Sequence, residues 1–208
     1  MTVADEGALL ALARTLAGRS LASLGTVVGK GGAGELVERA LGIPRSSAPG
    51  PDVVALGIEV KSVPVDDGRV LESTWVCSAS PASIKLETWA TSRVRAKLAR
   101  VLFVPVEGGR VPASARRVGT AFLWSPADDD ERVLRSDWED LADLVAHGLG
   151  FAVTARRGRA LQLRPKARDA SVTSRATDVD GDDYTNAPQG FYLRRAFTQR
   201  VVDAVFAP

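Results

Sequence analysis

The spacing of apolar residues divides the chain into a few long elements and several short ones. Leu9, Leu10, Leu12 and Leu16 fall at roughly helical spacing and predict a helix over residues 5–17. The glycine-rich GKGGAG (29–34) then opens a second short helix, ELVERAL, and RSSAPGP (45–51) is a loop. Val53, Val54, Ala55, Leu56, Ile58 and Val60 predict one apolar strand over 53–63. VDDGR (65–69) carries an Asp-Gly pair suited to a tight reversal, and VLESTWVCSAS (70–80) reads as the returning strand. A helix is expected over 89–99 and a short buried strand over VLFVPV, 101–106. The clearest helix is 129–148, where Leu134, Trp138, Leu141 and Val145 form one stripe at i, i+4, i+7 and i+11. AVTARRGRALQLRP (152–165) alternates about a central Arg-Gly and reads as a β-hairpin. DVDGDDYTNAPQG (178–190) reads as a long polar loop, and AFTQRVVDAVFA (196–207) as an amphipathic helix. Strands and helices alternate without a regular βαβ rhythm, which predicts an α+β fold with a mixed central sheet flanked by helices. No internal repeat or low-complexity tract is visible.

Length and composition narrow this picture. A chain of 208 residues makes one domain, or one domain with two lobes, with 45% apolar and 25% charged residues as in ordinary globular proteins. No apolar run approaches a membrane span. Acidic residues precede the first apolar stretch and Arg14 interrupts it, unlike a secretory signal, so a cytoplasmic protein is expected. The single cysteine, Cys77, rules out an intrachain disulfide and a thiolate zinc site. The single histidine, His147, rules out mechanisms that need two, and reads as a helix cap or surface residue. Cys77 and the four tryptophans read as packing residues.

Net charge is only +2, but its distribution is uneven. RVRAKLAR (93–100), RRGRALQLRPKAR (156–168) and RRAFTQR (194–200) are basic, while DDDER (128–132) and DVDGDD (178–183) are acidic. Separate basic patches on a near-neutral chain fit an anionic partner, but on charge alone solvated helix and strand faces are the favoured reading.

Candidate chemistry lies in PDVVALGIEVK (51–61). Asp52 stands at the entrance of the apolar strand, and Glu59 and Lys61 are set into its far end. Burying such charges is costly unless they are paired or bound to a metal. Alternation along a strand points Glu59 and Lys61 the same way, about 6 to 7 Å apart. A bend at Gly50-Pro51 would bring Asp52 beside Glu59. Two adjacent carboxylates suit Mg²⁺, which takes oxygen ligands and keeps waters that a phosphate can replace. A lysine beside the metal can orient a water or balance transition-state charge. Asp52 and Glu59 as metal ligands, with Lys61, would equip the chain to hydrolyse a phosphodiester. The bare pattern is short, and an edge strand whose Glu and Lys face water is its bland alternative.

A longer similarity decides between them. PDVVALGIEVKSVPVDDGRVLESTWVC (51–77) resembles the MutH family, the methylation-sensitive strand-nicking endonucleases of bacterial mismatch repair. The similarity continues through ETWATSRVRAKLARVLFVPVEG, RRVGTAFLWSP, SDWEDL, LQLRPKA and QGFYLRRAFT, over roughly residues 8–206. It implies a restriction-endonuclease-like fold of two lobes around a DNA cleft, formed by a single domain over 1–208. The catalytic motif would lie in 52–61 and the DNA-recognition elements in 156–195.

The resemblance also implies roles. Asp52, Glu59 and Lys61 would form the catalytic core, with Mg²⁺ on the two carboxylates and Lys61 positioning water. Glu38, in LVERALG, would sit beside the metal, and Lys97, in SRVRAKLAR, near the active site. Lys30, in the glycine-rich loop, matches a lysine that contacts DNA, and small residues there let an ammonium and backbone amides approach phosphate. That loop lacks the Gly-Lys-Ser/Thr of a nucleotide-binding loop. Arg164 and Tyr192 match residues linked to reading GATC and its methylation state, with Pro165 and Lys166 in the same loop. An arginine can bind guanine bidentately, and a tyrosine beside adenine N6 would sense a methyl sterically. The alternatives are a phosphate contact for Arg164 and core packing with Phe191 and Phe197 for Tyr192. Arg93 and Arg95 read as phosphate contacts or solvated charges.

The implied activity is Mg²⁺-dependent nicking of the unmethylated strand of hemimethylated GATC in double-stranded DNA by a monomer. The mismatch-repair ATPase MutL, engaged through MutS, would activate it, with helix 196–206 as a plausible contact. Two departures stand out. The segment before Tyr192 is strongly acidic, and Gln189 replaces a frequent basic residue, which should weaken phosphate binding. Its Asp spacing does not make a calcium loop, because Gly181 comes at the fourth position and Gln189 replaces the bidentate Glu. A stand-alone restriction endonuclease and a catalytically silent DNA-binding module are the alternative functions.

Overall fold

The computed structural model describes residues 5–27, 29, 31–46, 48–109, 111–150, 153, 157–166 and 173–206. In chain order its elements are α1 (Glu6–Arg14), α2 (Leu21–Leu24), α3 (Gly32–Ala40), β1 (Glu59–Asp66), β2 (Arg69–Val70), β3 (Thr74–Ala79), α4 (Pro81–Ile84) and α5 (Arg93–Leu98). There follow β4 (Val101–Glu107), β5 (Phe122–Trp124), α6 (Asp128–Ala146), β6 (Leu161–Pro165), β7 (Ser174–Thr177), β8 (Asp183–Asn186), β9 (Gln189–Leu193) and α7 (Arg195–Phe206). The mixture is α+β, as the pattern predicts. The chain forms two compact units: Met1–Glu72 with Lys97–Ser125 and Gln199–Pro208, and Ser73–Ala96 with Pro126–Thr198.

The first unit is built on a mixed sheet of order β2-β1-β4-β5. β1 runs parallel to β4, from Glu59 opposite Val101 to Val65 opposite Glu107. β2 and β5 are antiparallel to their neighbours. Val101 to Val106 are all buried, the unbroken apolar run expected of a strand covered on both faces. Leu102, Val104 and Val106 join Val60 in a core with Leu9, Ala13, Leu21, Leu36 and Val37 of the first three helices. Phe103 instead packs on Phe122 and Trp124, with ring centroids 5.5 and 6.0 Å away.

The Asp-Gly reversal is a two-residue turn between the paired Asp66 and Arg69. Both Asp67 (φ 47°) and Gly68 (φ 72°) have positive φ, as the hairpin turn matched to right-handed strand twist requires. Gln199 of α7 fastens it, accepting from the Val70 amide at 2.7 Å and donating to the Gly68 carbonyl at 3.0 Å. The returning strand is far shorter than expected. Only Arg69 and Val70 pair with β1, whereas Thr74–Ala79 pairs with β9 in the second unit.

The expected strand over 53–63 begins only at Glu59. Residues 53–58 form a tight loop about a 3-10 turn, Val54–Leu56, with Gly57 left-handed at φ 65°. Val53 and Ile58 close the loop with amide–carbonyl bonds of 2.8 and 3.2 Å. Its apolar residues are therefore not all core: Val54 is 74% exposed.

The second unit holds an antiparallel sheet of order β3-β9-β6 beside α6, and a separate β7–β8 hairpin. α6 buries the stripe read from the sequence, Leu134, Trp138, Leu141 and Val145. Its first turn carries Asp128, Asp129, Asp130 and Glu131, favourable beside the positive end of a helix. The expected helix 89–99 is split into a 3-10 turn, Trp89–Thr91, and α5, with Ser92 extended between them. In the segment expected to form the 152–165 hairpin, only Leu161–Pro165 is strand among the described residues, and its partner is β9. The expected polar loop is partly ordered as β8, paired with β7 from Ser174 opposite Asn186 to Thr177 opposite Asp183. Among the described residues no helix is long and apolar enough to cross a membrane.

Candidate active site and nucleic-acid face

β1 opens with the charged residues singled out in the sequence. Glu59 is only 1% exposed, so its carboxylate needs partners. Lys61, two residues on and on the same strand face, donates to Oε1 at 2.5 Å. Lys97, at the end of α5, donates to both oxygens at 3.0 and 2.8 Å and is itself buried. One buried carboxylate thus carries two ammonium groups.

The Val53–Ile58 loop turns Asp52 back onto β1, where Oδ2 accepts the Val60 amide at 2.9 Å. The chain bends at Gly50 beside Pro51, as expected, and the tight 53–58 loop completes the return. Glu38 of α3 is half-buried, and its carboxyl is pushed above the ordinary value of 4.5, first by burial and next by Asp52. Glu59 and Glu35 push the same way, and Lys61 opposes them. Asp52, Glu59, Lys61, Lys97 and Glu38 therefore form one electrostatic cluster in the first unit. Among the described residues no group of three acidic, histidine or cysteine side chains is arranged to hold a metal. Asp52 and Glu59 offer the oxygen donors that a hard divalent cation takes, and on Glu59 such a cation would share the carboxylate with two lysines.

In the second unit Arg164, Lys166, Tyr192 and Trp75 share one region of the β3-β9-β6 sheet. Tyr192 stands opposite Trp75 and Gln162, while Arg164 stands opposite Gly190. The Arg164 guanidinium lies 5.6 Å from the Tyr192 ring and donates to the Ser73 hydroxyl at 2.7 Å. Tyr192 meets Trp75 edge to face at 5.1 Å, and the Lys166 ammonium lies 5.5 Å from the Trp75 ring. Cations and rings thus alternate, the arrangement favoured by the ring quadrupole. Gly190 makes room for it: a Cβ there would stand 2.0 Å from the Trp75 ring. Phe191 is buried on the other strand face, while Tyr192 is only partly buried. Burial raises the Tyr192 hydroxyl pKa, and Arg164 lowers it. Pro165 is exposed beside Arg164, opposite Gln189. Lys30 lies outside the described residues.

Arg93 and Arg95 are paired within this unit, with Glu87 at 3.0 Å and Glu131 at 2.8 Å. His147 caps α6 through the Asp143 carbonyl at 2.8 Å, and Cys77 is buried, both as read from the sequence. Trp75 was readable only as packing, because its place opposite Tyr192 depends on a strand pairing that the sequence does not display.

A family described as "DNA mismatch repair enzyme MutH" matches residues 41–137. The DNA mismatch repair proteins MutH of Salmonella paratyphi B and Salmonella newport are each 45% identical over 211 residues, covering 96% of this chain and 91% of theirs. The same figures hold for the DNA mismatch repair protein MutH of Salmonella typhi. The chain belongs to the MutH family. The segment matched to the MutH family contains Asp52, Glu59, Lys61 and Lys97. The similarity to whole MutH proteins extends over nearly all of this chain, and both units lie almost entirely within it.

Proposed function

We propose that this MutH-family protein is a Mg²⁺-dependent DNA endonuclease that nicks the unmethylated strand at hemimethylated GATC sites. The observation that carries this reading is the buried Glu59 carboxylate, gripped by Lys61 and Lys97 at the strand end to which Asp52 is folded back. Buried charge of this density has no packing value and suits an anionic substrate.

Asp52 and Glu59 are the residues to hold the metal. Mg²⁺ when bound would supply charge stabilisation for the phosphate and for the leaving 3′ oxygen. Lys61 orients the attacking water in line with the scissile bond, and Lys97, bonded to both Glu59 oxygens, keeps that carboxylate aimed. Glu38, electrostatically coupled to Asp52, takes part in placing water at the same site. Arg164 reads guanine and Tyr192 excludes a methylated adenine, with Pro165, Lys166 and Lys30 contacting the duplex. The protein works as a cytoplasmic monomer, with MutL, engaged through MutS, raising its activity.

Glu59→Ala is the direct test of the chemistry. It should abolish nicking of a GATC plasmid while duplex binding by electrophoretic shift persists. Normal cleavage by Glu59→Ala would remove the site assignment. Binding without cleavage by the wild-type protein, at every methylation state and with MutL and ATP present, would leave a silent DNA-binding module.

A further inference from the structure

Asp137 of α6 has no part in the chemistry above, yet it is one of the most heavily bonded side chains in the second unit. It is 6% exposed. Its Oδ2 accepts three consecutive backbone amides, those of Arg159, Ala160 and Leu161, at 2.8, 2.5 and 2.8 Å. Hydrogen bonds to an ionised acceptor are roughly twice as strong as neutral ones, and a single oxygen here satisfies donors that would otherwise be stranded at the entrance of β6.

The corner it holds is tight. Gly158 has φ +83°, and a Cβ there would stand 2.1 Å from the Leu161 carbonyl oxygen. Arg157 adds an outer fastening, a two-pronged pair with Asp140 at 2.6 Å on each arm. The Ala160 carbonyl accepts the Arg194 amide at 2.7 Å, and Arg194 also donates to the Arg157 carbonyl at 3.2 Å. The corner therefore grips both strands of the recognition pair. Arg164 follows Leu161 by three residues, about 10 Å of strand, and Tyr192 precedes Arg194 by two. Leu161 and Leu193 are the first pair of that ladder.

We propose that Asp137 is a positioning residue for DNA reading: its carboxylate pins the 159–161 backbone and so fixes the β6–β9 register that holds Arg164 and Tyr192 in one pose. It touches no DNA and acts only through the backbone. The inference rests on the reading of Arg164 and Tyr192 as base-contacting groups. The physical basis is that a strand slip of one residue turns every side chain to the other face, and a small loss of order near the ladder's end is felt by the side chains it aims.

The test uses Asp137→Asn, which exchanges a charged acceptor for a neutral amide, and Arg157→Ala, which releases only the exposed outer fastening. Steady-state nicking is measured on hemimethylated and fully methylated GATC duplexes, with folding followed by thermal melting. Asp137→Asn should raise KM for the hemimethylated duplex by about tenfold or more, leave kcat less affected, and narrow the discrimination between the two duplexes. Arg157→Ala should move both quantities the same way by a smaller factor. A folded Asp137→Asn with wild-type KM and discrimination would overturn the proposal. If Asp137→Asn does not fold, Arg157→Ala decides, and wild-type values there overturn it too. Arg164→Ala runs in parallel: intact discrimination in that variant would mean that the underlying reading of the face has failed, whereas a damaged Arg164→Ala beside an unaffected Asp137→Asn would sink the inference about Asp137 alone.

Discussion

Glu59 faces a choice of partners that a surface carboxylate never meets. Little solvent reaches its carboxylate, and Lys61 and Lys97 serve as its donors. Removing one partner of a buried pair costs more than the pair contributes net, because the other charge is left in low dielectric. Lys97→Met keeps the apolar stem but deletes one ammonium, leaving Lys61 on Glu59. Stability should fall by about 1–3 kcal/mol in denaturant unfolding, and nicking should fall much further, because the carboxylate is no longer aimed. A Lys97→Met protein that nicks at the wild-type rate would deny Lys97 any share in the site. A second residue-scale expectation concerns Asp140. Its hydrogen bond with Arg157, followed by the charge of Arg157, holds its carboxyl below the ordinary value of 3.8, with burial opposing. A depressed folded pKa stabilises above the unfolded value, and the gain is lost as pH falls through the folded one. The melting temperature gap between wild type and Asp140→Asn should therefore be full near neutrality and close as pH drops below 3.8. A gap that widens in acid would contradict this.

Among the elements, β9 is the one on which the proposed reading of DNA depends most, and Gly190 is its most constrained position. Any side chain there must displace the Trp75 ring, since the Cβ would meet it at 2.0 and 2.5 Å. Gly190→Ala should thus disturb the contacts of Trp75 with Tyr192 and Lys166. The expected result is weaker discrimination between hemimethylated and fully methylated DNA, with catalysis on the preferred duplex less affected. Unchanged discrimination would show that the aromatic pair does not set the Tyr192 pose. Elements differed in how much of them could be read beforehand. α6 was legible because its apolar stripe, Leu134 to Val145, repeats over about three turns. The 53–58 segment was not, since a short apolar run looks the same in a strand and in a closed loop. The charged β7–β8 hairpin lacks the apolar alternation that marks a strand. β3 reads as part of the first hairpin, yet pairs with β9, because alternation marks a strand without naming its partner. Asp52, Glu59 and Lys61 were legible because they lie within ten residues. The pairing of Lys97 with Glu59, across 38 positions, and the grip of Asp137 on the 159–161 amides, across 22 to 24, are products of folding alone.

At the scale of the whole molecule, a net charge of +2 conceals an uneven placement of charged residues. The first unit contains the carboxylate–lysine cluster, and the second contains the cation–aromatic face. Membership of the MutH family unites them in one account, in which one unit cuts and the other reads. That account is tested most directly with supercoiled plasmid carrying one GATC site, unmethylated, hemimethylated or fully methylated, incubated with protein and Mg²⁺, with and without MutL and ATP. The expected result is a nick confined to the unmethylated strand, no cut in fully methylated plasmid, and faster nicking with MutL. Equal cutting of methylated and unmethylated strands, or double-strand cleavage indifferent to MutL, would contradict it and identify a restriction-type enzyme instead.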